Sequence, residues 1–90
     1  MNTLDELNAN VIVAIRKVEE AQAEVAHAEL AIATATSPTS TEGRIARRGA
    51  IRAARAARLD DWVEKPLETF LAEDGIDEKL SAELKALATS

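Results

Sequence analysis

Every seventh residue from Leu4 to Ile32 is a branched aliphatic: Leu4, Val11, Val18, Val25 and Ile32. Three places further along runs a second line, Leu7, Ala14, Ala21, Ala28 and Ala35. An apolar pair repeating every seven residues over five cycles is the a/d pattern of a helix that lies along another helix. These two lines are therefore expected to be a buried packing seam. The stretch Val11, Ile12, Val13, Ala14, Ile15 is apolar on nearly every side, which predicts cover from more than one neighbour.

Local signals divide the chain into four helices. Thr3-Leu4-Asp5-Glu6 has the form of a capping box, and a first helix is expected over about 4–36. Pro38, set among Ser and Thr, predicts a turn over 37–41. Thr39-Ser40-Thr41-Glu42 offers a second capping box for a helix over about 42–64. Pro66 is read as the end of that helix and the first position of a third, about 66–74, stopped by Gly75. Asp77 then caps a fourth, about 77–88, with Leu80, Leu84 and Leu87 on one face. The terminal Ala88-Thr89-Ser90 is expected to fray.

The resulting expectation is a single all-α domain over 1–90. Its two long helices form an antiparallel, coiled-coil-like hairpin, and two short helices pack across it. A short turn favours antiparallel neighbours. The second helix brings an alanine seam, Ala46, Ala50, Ala53 and Ala57, to meet the first. Alanine dominates the apolar residues and the only aromatics are Trp62 and Phe70. Such a core is thin, so association with a second surface is an expected source of stability.

Charge is arranged in blocks. The net charge is −5, yet residues 43–59 contain six arginines and no acid, flanked on both sides by acidic segments. Arg44, Arg47, Arg48, Arg52, Arg55 and Arg58 form a stripe at helical spacing, with Trp62 one turn beyond Arg58. Three uses are open to such a stripe: ion pairing within the chain (Glu29, Glu24 and Glu20 come level with Arg48, Arg55 and Arg58), docking to an acidic partner, or contact with successive phosphates. Trp62 is read as a core residue or an interface anchor, with a cation–π contact to Arg55 or Arg58.

Catalysis has no evident basis. The chain has no Cys or Tyr, no glycine-rich phosphate loop and no nucleophile set beside a base. Its single histidine, His27, lies at an outer heptad position among Glu20 and Glu24, too few ligands for a metal site. No cofactor, metal or small-molecule substrate is expected. An acidic N-terminus and the lack of a long apolar run predict neither a signal peptide nor a membrane span, and the cytoplasm is the expected compartment.

These features predict a protein-interaction module, such as an adaptor, chaperone-like factor or inhibitor of a larger protein, self-associating as a homodimer. Small acidic helical proteins of this kind are common among bacterial and phage accessory proteins, by analogy alone. The alternatives are a nucleic-acid-binding or regulatory protein using the arginine stripe, and a structural or assembly component of a larger particle.

Overall fold

The computed structural model describes residues 3–89 and is all-α. Helix α1 runs Thr3–Thr34, α2 Thr41–Ala56, α3 Asp60–Leu71 and α4 Glu78–Thr89. The first two form a long hairpin joined by residues 35–40, and the two short helices pack on α2 and on each other. Among the described residues no helix is long and apolar enough to cross a membrane. Met1, Asn2 and Ser90, the last of them in the tail expected to fray, lie outside the described residues.

The loop into α2 is held by hydroxyls. Ser40 Oγ accepts the Gly43 N–H at 3.0 Å and donates to the Ser37 carbonyl at 2.9 Å. The cap is thus Ser40, one place later than the expected Thr39. Gly43 is buried against this turn, and a Cβ there would stand 1.9 Å from the Ser37 carbonyl oxygen. Only glycine fits.

The second break falls eight residues before the expected one. Helix α2 ends at Ala56 rather than near Glu64, because the chain turns left-handed at Arg58, φ +59°. Leu59 N–H donates to the Ala54 carbonyl and Arg58 N–H to that of Arg55. This is a Schellman closure with arginine where glycine is usual. Pro66, expected to open a helix, instead sits buried inside α3. It has no N–H for the Trp62 carbonyl, at a helix-interior cost of about 3 kcal/mol that burial of the ring helps to offset. Helix α3 then ends at Leu71, three residues early, and Gly75 takes φ +88° in the following turn. Asp77 caps α4, its Oδ1 accepting the Leu80 N–H at 2.7 Å.

The core is small and centred on α2. Ala46, Ala50, Ile51, Ala53, Ala54 and Ala57 are buried, together with Val63, Phe70, Leu80 and Leu84. From α1 only Ala26 and Ala33 are fully buried, with Glu19, Gln22, Ala23, Glu29 and Leu30 half-buried beside them. Alanine facing alanine brings the two backbones close, which is the packing two small-residue surfaces allow.

Candidate interaction surface

The contact line on α1 is not the seam expected from the heptads. Ala26 and Ala33 touch the core, whereas Val25 and Ile32, one residue earlier, stand 45% and 46% exposed. One residue is about 100° of rotation. All ten ladder positions, Leu4, Leu7, Val11, Ala14, Val18, Ala21, Val25, Ala28, Ile32 and Ala35, are therefore exposed, with Ala14, Val18 and Val25 at the open edge of the hairpin beside Ala56. The expected burial of this ladder is wrong for the chain by itself. The other half of the expected seam, Ala46, Ala50, Ala53 and Ala57, is buried.

Helix α2 is half the length of α1, 16 residues against 32, so it leaves the start of α1 uncovered. Arg58, just past the end of α2, comes level with Glu19, 3.5 Å away. Residues 3–18 are exposed throughout. Val11, Ile12, Val13 and Ile15, expected to be covered from several sides, are each about half exposed or more. Ile45 of α2 adds a further exposed aliphatic beside Val25, where Gln22, Glu29, Gly49, Arg52, Ala53 and Ala56 complete a shallow groove.

The arginine stripe is largely consumed inside the chain. Arg44 pairs with Asp77 at 2.6 Å, Arg48 with Glu83 at 3.1 Å, Arg55 with Asp60, and Arg58 with Glu19. Arg48 and Arg55 thus pair with Glu83 of α4 and Asp60 of α3, and Arg58 with Glu19 of α1, in place of the expected Glu29, Glu24 and Glu20. The Arg44 guanidinium and the Leu80 N–H together hold the Asp77 carboxyl below the ordinary aspartate range. Of the six, Arg52 is the one without an ion pair among the described residues.

Arg47 is a different kind of residue altogether. It is 1% exposed, and its guanidinium holds both carboxylate oxygens of Glu73, Nε to Oε1 at 2.7 Å and Nη2 to Oε2 at 2.6 Å. It also donates to the carbonyls of Gly43, Ala33 and Thr36, all within 3.0 Å, and lies 5.5 Å from the centre of the Phe70 ring. Helix α1 has no basic residue in its last turn. Arg47 supplies the positive charge that its terminal carbonyls favour, and ties α1, α2 and the α3–α4 turn into one knot. It is unavailable to any external partner.

Trp62, read from the sequence as a neighbour of Arg55 and Arg58, meets a histidine ring. It is half-buried and meets His27 edge to face, ring centres 5.4 Å apart at 78°. With Leu30, Thr34, Pro66 and Phe70 it borders a groove of about 390 Å³ between α1 and α3. Among the described residues no group of three or more His, Asp or Glu side chains is placed to hold a metal ion. Comparison with protein-family models, with curated proteins and with solved structures returns no match.

Proposed function

We propose that the chain is a non-catalytic protein-interaction module of the adaptor, chaperone-like or inhibitor class, and that its docking surface is the ladder face of α1. One observation carries this reading: ten heptad positions, six of them large aliphatics, are exposed in a line along a helix of about 48 Å. Contiguous exposed apolar surface of this extent marks interaction sites. A structural or assembly component of a larger particle would use the same face. The phosphate-binding alternative loses most of its support, because five of the six arginines already hold carboxylates. A chain without cysteine suits a reducing compartment such as the cytoplasm.

Site-specific photo-crosslinking tests the reading. With a photoreactive residue at Val11 or Ile15, protein adducts form in the native host; at Glu64, exposed on α3, they do not. Adducts at Val11 disappear when Val18→Glu puts a charge into the face. Equal labelling from Glu64 and Val11, or none from either, overturns it.

A further inference from the structure

We infer that the occupant of the ladder is a second copy of this chain, its α1 running antiparallel to the first. The inference rests on the interaction reading above and names the partner. Three features of α1 select that geometry.

The first is the alternation of size along the two lines. In an antiparallel pair the a positions of one helix meet the d positions of the other. Leu4 then faces Ala35 of the second copy, Val11 faces Ala28, Val18 faces Ala21, and Val25 faces Ala14. Leu7 and Ile32 close the remaining layers. Nearly every layer holds one large and one small side chain, so the two axes keep an even separation and the layers interdigitate. In a parallel pair, Val would meet Val and Ala would meet Ala. Wide layers would alternate with layers too thin to touch, leaving gaps that forfeit contact.

The second is charge. In the antiparallel register Lys17 of one copy and Glu24 of the other flank the same side of the seam, two residues' rise apart, and the pair occurs twice. Both residues are exposed and neither is in an ion pair among the described residues. The parallel register instead sets Glu24 against Glu29 of the other copy, acid against acid.

The third is continuity. The ladder runs from Leu4 to Ile32 along α1, with Ala35 one residue past its end, so the antiparallel overlap also covers residues 3–18, which α2 leaves exposed. Because α2 packs on the Ala26 and Ala33 line, about 100° away, each α1 can hold its own α2 and the second α1 together. The assembly then joins two chains through their α1 helices, with each α2 still packed on its own α3 and α4.

The chain contains no cysteine, so single introduced cysteines report the register cleanly. A mixture of Val11→Cys and Ala28→Cys chains is expected to form a mixed disulfide dimer, while Val11→Cys by itself does not link. Sedimentation equilibrium is expected to show a dimer whose dissociation constant rises about tenfold at low salt for Lys17→Glu, and likewise for Glu24→Lys. The double variant, with both charges exchanged, returns to the original affinity. Self-linking of Val11→Cys, or tighter dimers for Glu24→Lys, overturns the antiparallel register. A monomer at high micromolar concentration overturns the second copy itself. In that case adducts of another protein at Val11 leave the interaction reading standing, and their absence defeats both.

Discussion

Val25 and Ala26 are neighbours in the chain and lie on two different surfaces: Ala26 is fully buried under α2, while Val25 is 45% exposed at the open edge of the contact. The larger, more apolar residue is the one left in water. That inversion repeats at Ile32 and Ala33, and it gives α1 two working faces, a small-residue one for its own hairpin and a large-residue one turned outward.

The inner face tolerates no added volume. Ala26→Leu is expected to destabilise the chain by about 1–3 kcal/mol, since a close alanine contact must open to admit it. Urea unfolding under conditions where the chain is monomeric measures this directly, with Ala28→Leu, on the exposed face, as the control.

Arg47 is expected to be the most sensitive single position. Arg47→Met strips Glu73 of its counter-charge and leaves buried carbonyls at Gly43 and Ala33 without that donor, at a cost of about 3–5 kcal/mol. Glu73→Gln, which keeps an acceptor, is expected to cost less, about 1.5–3 kcal/mol. Equal and small effects in thermal unfolding would contradict the knot described for this residue.

Backbone geometry yields substitutions of opposite sign. Arg58→Gly removes the left-handed penalty and is expected to stabilise by about 1 kcal/mol, since the exposed Glu19 pair it gives up contributes little. Gly49→Ala is expected to be neutral or to stabilise by up to about 1 kcal/mol, because its nearest obstacle is the end of the Glu29 side chain, which can swing away. Gly43→Ala drives a Cβ into the Ser37 carbonyl and is expected to destabilise strongly. Denaturation midpoints of the three variants give the signs.

Asp77 sets one pH dependence. Its carboxyl is held low in the folded chain, first by the Arg44 hydrogen bond and then by the Leu80 N–H. A group with a lowered folded pKa contributes stability above its unfolded value, near pH 4, and loses it as pH falls through the folded value. Unfolding midpoints between about pH 6 and pH 2 should therefore fall less steeply for Asp77→Asn than for the parent chain.

Much of the architecture is legible in the sequence: four helices, the hydroxyl-rich turn at Pro38, the alanine seam of α2 and the Asp77 cap. What the heptads cannot convey is which neighbour each face meets. Glu19, Ala26 and Ala33 have the same seven-residue spacing as Val18, Val25 and Ile32, and hydrophobicity alone favours the wrong line. The preference is set by α2, whose alanines require a small-residue surface to approach. The break at Arg58 carries no glycine to announce it, and Pro66 misleads because prolines inside helices are uncommon. Nor does any local pattern separate the buried Arg47 from the five arginines around it. Its role depends on Glu73, 26 residues away.

The outward ladder is tested most directly by sedimentation equilibrium of the parent chain beside Val18→Glu. The parent is expected to sediment as an assembly of two chains and the variant as a single chain, with circular dichroism showing the folded helical body retained. Identical masses for the two proteins would contradict it.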